Sequence, residues 1–431
     1  MLDINFIREN KELVKKGVAD KQFDPSIVDK VLALDEKRRK LILEIEGLRA
    51  RRNKIADQKK VSEEGKKIKE ELKDKEPEYE KIGAEYKRLL YKIPNIVSSD
   101  TPIGKDESEN KVVRRWGEPT EFDFKPRNHV EIGKILGIID TETASKVAGA
   151  RFNYLKGDAV LLENALYQFA MSILLDERKL REIADRIEVK YSANPFIPVL
   201  PPLLINPDVY EKMARLSPET EIERYAITRD EQYLIGSAEH TLGPMHMNQT
   251  LEAKNLPLRY FAFTPAFRRE AGSYGKDVKG ILRQHQFDKL EMESFTTPED
   301  GLKEQDFFVA IQEHLMQSLE IPYQVVAICT GDMGGPDFRQ IDIESWMPGQ
   351  NKYRETHTSD YMTDYQSRRL GTRVRLNSGE VVYAHMNDAT AFAMGRTIIA
   401  ILENFQTKDG SVKIPEVLQK WMGKEKIEIR K

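Results

Sequence analysis

Apolar side chains recur from Ser26 to Lys60 in alternating steps of three and four, at Val31, Leu34, Leu41, Ile45, Leu48 and Ile55, with Arg38 and Arg52 filling gaps. The rhythm returns as Ile68, Leu72, Lys75, Tyr79, Ile82, Tyr86, Leu89 and Ile93. A seam of this period buries one stripe of a helix against a second helix. Two such runs, separated by the polar stretch 57–67, predict an antiparallel coiled-coil hairpin over about 26–93. Roughly thirty residues at 1.5 Å each make an arm about 45 Å long. Pro77 lies inside the second run and predicts a bend or break, since an interior proline costs about 3 kcal/mol. Pro94 ends the hairpin.

The pattern then changes. Residues 98–118 are polar and include Ser98, Ser99, Pro102 and Gly104, as a linker would. The chain therefore reads as an N-terminal domain over 1–100, a linker over 101–118 and a second domain over 119–431. In the latter, helical patterns at 128–139 and 159–188 alternate with β-branched and aromatic runs. These are Gln232–Ser237, Leu258–Pro265, Arg283–Phe295, Tyr323–Cys329, Arg339–Trp346 and Arg373–Leu376. Pro195 and Pro198 confine the run Pro195–Val199 to a sheet edge. Regular crossover helices are missing between the strands, so the fold class is α+β, an antiparallel sheet flanked by helices.

Charge limits what the chain can bind. Lys+Arg (68) nearly cancels Asp+Glu (71), so any nucleic-acid surface must be a local patch. Residues 26–60 hold 11 basic and 6 acidic side chains, whereas 61–93 hold 9 of each. Arg49, Arg51, Arg52, Lys54, Lys59 and Lys60 crowd the distal part of the first helix against Asp57 alone. That stripe is either a solvated coiled-coil flank or a phosphate-binding surface. The single cysteine, Cys329, excludes an intramolecular disulfide, and seven scattered histidines make no zinc site. The first residues lack a signal-peptide layout, and no apolar stretch approaches the ~20 residues of a membrane span. The expectation is a soluble cytoplasmic protein with no membrane association.

No Walker-type, dinucleotide-binding, H-E-x-x-H or G-x-S-x-G motif occurs. The informative segment is Phe267-Arg268-Arg269-Glu270, a basic mobile loop with Gly272, Gly275, Gly280, Lys276 and Lys279, and then Arg283 to Glu293. On two antiparallel strands Arg268 and Glu270 share one face of the first, and His285, Phe287, Lys289, Glu291 and Glu293 share one face of the second, a row of charges with one aromatic on a single sheet face. Such a row is costly if buried unpaired. It suits either a solvent-facing sheet with cross-strand ion pairs or a bed for a charged planar ligand. Gly395-Arg396 opens an apolar helix, where a guanidinium is poor for the helix and good for an anion. Glu355-Thr356-His357-Thr358 could hold Mg²⁺ partly through water, or be ordinary strand decoration.

Together these pieces resemble the three-motif layout of class II aminoacyl-tRNA synthetases, specifically the bacterial-type seryl-tRNA synthetases, over essentially the whole chain. The strongest stretches are 267–275, Gln284–Glu291, Thr330-Gly331-Asp332-Met333-Gly334, and Gly395-Arg396-Thr397 through Glu403-Asn404. The resemblance implies activation of L-serine by ATP with Mg²⁺ and transfer to tRNA(Ser), with tRNA(Sec) as a further acceptor. It also implies a homodimer with a contact around Pro201–Leu204. It puts Arg268 on the α-phosphate and the serine carboxylate, and Glu270 on the adenine amine. Phe287 and Arg396 enclose the adenine ring, Arg396 also reaching the γ-phosphate, and Arg269, Thr356 and His357 complete the ATP set. Glu355 and Thr358 hold Mg²⁺. Serine is held by Ser237, Ala238, Glu239, Arg268, Glu291 and Thr390, and the arm binds tRNA through Arg49, Arg51, Arg52 and Lys54.

Some stretches depart from the family pattern. Ser237-Ala238-Glu239 stands where Thr-x-Glu is usual, Glu355 to Asp360 where Glu-x-Ser-Ser-Cys-Ser is usual, and Asn387-Asp388-Ala389-Thr390 where Asn-Gly-Ser or Asn-Gly-Thr is usual. The usual glycine-rich stretch is missing around 213–223. Two rival readings are a ligase that loads a carrier protein, which would lack the hairpin, and a non-catalytic RNA-binding scaffold, which would lose Arg268, Glu270, Glu355 or Arg396.

Overall fold

The computed structural model of the chain describes residues 1–57, 63–188, 190–271 and 280–429. Lys59, Lys60 and residues 272–279, on which the expectation of a mobile basic loop falls, lie outside these. The chain divides into two compact units, Met1–Val97 and Ser98–Lys431.

In the first unit, α1 (Ser26–Asp57) and α2 (Glu63–Lys92) form the expected helical pair. Leu41, Ile45 and Leu48 of α1 bury against Ile68 and Leu72 of α2. Arg38 keeps its place beside the seam by laying its guanidinium 5.1 Å from the Tyr86 ring centroid and donating to the Tyr79 hydroxyl at 3.4 Å. The second helix does not break at Pro77, because α2 runs through it. Leu72 on one side and Tyr79 and Ile82 on the other pack on α1, which offsets the local cost of the proline.

The second unit is built on a sheet. Its strands are β1 (Lys111–Trp116), β2 (Ile197–Pro198), β3 (Leu258–Phe267), β4 (Gln286–Thr296), β5 (Tyr323–Ala327), β6 (Arg339–Met347), β7 (Lys352–Tyr361) and β8 (His385–Ala393). Among the described residues they lie in the order β1-β5-β6-β7-β8-β4-β3-β2. Neighbours are antiparallel except β2 and β3, and the proline-bearing β2 sits at the edge as expected. Segment 101–118, expected to be a linker, instead carries β1, whose pairing with β5 makes the opposite edge. Its exposed polar sequence reflects that edge position.

One face of the sheet is apolar. Leu290, Met292, Ile341, Ile343 and Phe392 pack under α3 (Asp158–Leu174), α4 (Gly301–Ser318) and α5 (Met394–Asn404). The helical pattern over 159–188 breaks after Leu174, because Asp176 caps a new helix by accepting from the Arg178 and Lys179 amides. The opposite face carries Lys289 and Glu291 by strand alternation, and also Asp388 and Thr390, because a bulge at Ala391 in the β4–β8 register separates them from the face of Phe392. β7 and β8 pair only from Ser359 to Tyr361 and then part. At the parting, buried Gln312 of α4 donates to the Thr358 and Thr390 carbonyls at 2.9 and 2.8 Å. These are acceptors that a continuous ladder would have used.

Candidate active site

The splay of β7 from β8 helps open a polar cavity of about 590 Å³. At one end, Arg268 leaves the end of β3 and donates from Nε to the Gly236 carbonyl at 3.0 Å. Its guanidinium carbon lies 5.3 Å from the centroid of the half-buried Phe287 ring. Glu270 reaches the same wall with a backbone φ of 51° and meets Arg283 at 2.7 Å. Arg396 comes from the first turn of α5. Gly395 permits the approach, since a Cβ there would stand 3.0 Å from the Ile281 carbonyl oxygen.

Glu355 and Thr358 both line the cavity although they are three residues apart on one strand. Simple alternation would put them on opposite faces. A bulge between Ile343 and Glu344 in the β6–β7 register shifts the phase and brings them together. The Glu355 side chain is 48 % exposed and meets Arg396 at 2.7 Å. Burial by the surrounding wall works against its charge, but Arg396 and Arg268 prevail and keep its pKa below the usual carboxylate value.

The other end is charged and buried. Lys289 donates to the Ser237 hydroxyl at 2.9 Å and meets Glu291 at 2.5 Å. Burial raises the Glu291 pKa to about 8 against the pull of Lys289. Arg215 reaches Asp388 at 3.3 Å and Asp360 at 3.7 Å. Burial lifts Asp388 to about 7, opposed by Arg215.

The cavity thus gathers Arg268, Glu270, Phe287, Glu355, Thr356, Thr358 and Arg396, and at its far end Glu239, Glu291 and Thr390. Other expected site residues stand elsewhere. Arg269 faces a separate hollow with Tyr225 and His285, because it follows Arg268 in an extended chain. His357 turns to the helix side, 5.9 Å from the Phe392 ring, and burial depresses its pKa to about 3. Ser237 sits one layer behind Lys289, and Ala238 belongs to an apolar cluster with Leu242 and Met386. On the arm, Arg49 and Arg51 pair with Glu76 and Glu64 of α2, each at 2.7 Å, while Arg52 and Lys54 are exposed. Lys289 was expected on the ligand-facing row but without a role, and Asp360, Asp388 and Arg215 were not expected in the site. Period-two steps from Glu291, Thr358 and Thr390 reach the first three, whereas Arg215 lies outside any helix or strand and gave no signal.

Residues 1–97 match the seryl-tRNA synthetase N-terminal domain, and residues 222–405 match the class II tRNA synthetase core domain of the G, H, P, S and T enzymes. The chain is 40 % identical to a serine–tRNA ligase of Petrotoga mobilis, covering 99 % of each. The chain belongs to the seryl-tRNA synthetase family. A serine–tRNA ligase of Nitrosopumilus maritimus is 38 % identical over 99 % of this chain and 100 % of that one. Among solved seryl-tRNA synthetases, that of Pyrococcus horikoshii complexed with ATP superposes with a TM-score of 0.90 at 38 % identity, over the whole of both chains. That of Naegleria fowleri in complex with AMP gives 0.85 at 31 % identity, covering 100 % of this chain and 99 % of that one. Membership of the family accounts for both units, the helical arm as well as the sheet.

Proposed function

We propose that the chain is a serine–tRNA ligase, which forms seryl-adenylate from serine and ATP and passes the seryl group to the 3′ end of tRNA(Ser). The observation that carries this is the convergence of Arg268, Glu270, Phe287, Glu355 and Arg396 on one cavity, in a chain related to such ligases over its full length. The first step brings two anions into contact. Arg268 lies where it can bridge the serine carboxylate and the α-phosphate, so it orients the attack and offsets charge growing on the phosphate oxygens. Phe287 offers a ring face to adenine, Glu270 an acceptor for its amine, and Arg396 a cation for the distal phosphate. The carboxylate oxygen bonds to the α-phosphorus while pyrophosphate departs. No enzyme nucleophile is needed.

Glu355 and Thr358 suit Mg²⁺ as part of a shell. One is a carboxylate exposed to the cavity and the other lines it, and the described residues gather no group of three or more acidic, His or Cys side chains that could hold a metal alone. The remaining positions would fall to phosphate oxygens and water, where the ion would draw off negative charge. At the far end, Glu239, Glu291 and Thr390 supply polar partners for the serine amine and hydroxyl. An alanine would leave such partners unpaired, and that is the basis of selection.

The arm with exposed Arg52 and Lys54 is assigned to tRNA, with tRNA(Sec) as a further substrate. A homodimer is supported by exposed Ile197, Leu200 and Leu204, apolar surface flanking 201–204. The setting is the cytoplasm; no single helix among the described residues is long and apolar enough to cross a membrane. Serine-dependent ATP–pyrophosphate exchange, followed by charging of tRNA(Ser), tests the assignment. Exchange with no charging would remove the tRNA half of it.

A further inference from the structure

The buried end of the cavity holds more acid than serine needs. Arg215 is shared between Asp388 and Asp360, and Lys289 is taken up by Glu291 and the Ser237 hydroxyl. Glu239 also lines this end. Asp360 and Glu239 are 8 % and 5 % exposed, yet Asp360 Oδ1 and Glu239 Oε2 have no hydrogen-bond partner among the described residues. Asp360 uses only its other oxygen toward Arg215. A buried acceptor left this way is costly unless a ligand donates to it.

A bound amino acid brings one α-ammonium, enough for one of these carboxylates. The second then faces the β-substituent. A serine hydroxyl offers one donor and no charge, whereas an ammonium offers three donors and a full positive charge. Two carboxylates on one guanidinium, both lining the cavity and one of them with an unpartnered oxygen, are the complement of a small cation.

Resting on the ligase reading above, we infer that the cavity also accepts a three-carbon amino acid with an ammonium on its β-carbon, held by Asp360 and Asp388, and converts it to its adenylate. The chemistry is that of serine. A carboxylate oxygen bonds to the α-phosphorus, the bond from that phosphorus to the bridging oxygen breaks, and pyrophosphate leaves with the electron pair. The β-ammonium keeps its protons.

The test is ATP–pyrophosphate exchange by the full chain with L-serine, L-2,3-diaminopropionate and L-alanine, for the wild type and Asp360→Asn. The expected result is wild-type exchange with diaminopropionate about tenfold or more above alanine. In Asp360→Asn the ratio of diaminopropionate to serine exchange falls about tenfold, the loss of one charge-assisted contact. Exchange with serine but only alanine-level exchange with diaminopropionate overturns this inference and leaves the ligase reading standing. An unchanged ratio in Asp360→Asn likewise overturns it, since Asp360 is then only structural. Exchange with diaminopropionate but not serine keeps it and overturns the proposed substrate, and silence with both removes the two together. Should Asp360→Asn fail to fold, the wild-type comparison with alanine still decides.

Discussion

Arg396 in the first turn of α5 and Glu355 on β7 meet at 2.7 Å, and Arg396 also donates to the Glu355 carbonyl at 2.9 Å. The pair joins elements 41 residues apart in sequence. It places a cation at the positive end of a helix, where the carboxylate offsets the unfavourable dipole. A triphosphate would compete with Glu355 for the guanidinium. Replacing Arg396 with Ala is expected to raise the KM for ATP about 10- to 100-fold, the value of one or two charge-assisted hydrogen bonds. Exchange kinetics against ATP concentration check this, and an unchanged KM would detach Arg396 from the nucleotide.

Arg268 is asked to act mainly on the reacting phosphate. Arg268→Ala should lower kcat for serine-dependent exchange by roughly 10²- to 10³-fold, the usual loss for one preorganised donor. Arg268→Lys should recover little, because a point charge cannot bridge two anions as a fork does. Near-normal exchange in either variant contradicts the role.

Residues 35–90 of the arm make their own buried seam, and among the described residues the cavity lining runs from Arg215 onward. Deleting them should spare serine-dependent exchange and abolish transfer to tRNA. Parallel loss of both activities would assign the arm another task.

The site was legible where alternation was regular. Arg268, Phe287, Lys289 and Glu291 follow from the two-residue period of β3 and β4, and so does the turning away of Arg269. The bulge opposite Glu344 was not legible, and it sent His357 into the core while keeping Thr358 in the cavity. Asp360 and Asp388 stood out only as departures from the family pattern, and nothing in the sequence pointed to their burial, because buried carboxylates are rare without partners. Their partner, Arg215, comes from a segment of irregular backbone. The arm was read almost fully from its seam, but the propensity cost of Pro77 was overridden by packing on α1.

Gln312 is the internal counterpart of the open cavity. Gln312→Leu would leave the Thr358 and Thr390 carbonyls without their side-chain donor on the buried face of the splay. The expected cost is about 2–6 kcal/mol, at roughly 1–3 for each of the two unsatisfied buried groups. Urea denaturation measures it, and a cost under about 0.5 kcal/mol, as at an ordinary surface site, would deny the amide its structural role.

His385 should govern part of the acid limb of stability. Burial lowers its pKa to about 4, and the Tyr361 hydroxyl lies 2.6 Å from Nδ1. Between about pH 6.5 and 4 the unfolded chain binds a proton there that the folded chain does not, so stability falls as pH drops through that window. His385→Gln should show a shallower decline than wild type over the same range in thermal melts, and identical slopes would remove His385 from the account.

The most direct measurement of the central claim is ATP–pyrophosphate exchange by the purified full-length chain, run in parallel with each of the twenty common amino acids. The account predicts strong exchange with serine and none above background with alanine or glycine. Exchange with no amino acid, or with a different one in place of serine, would contradict it.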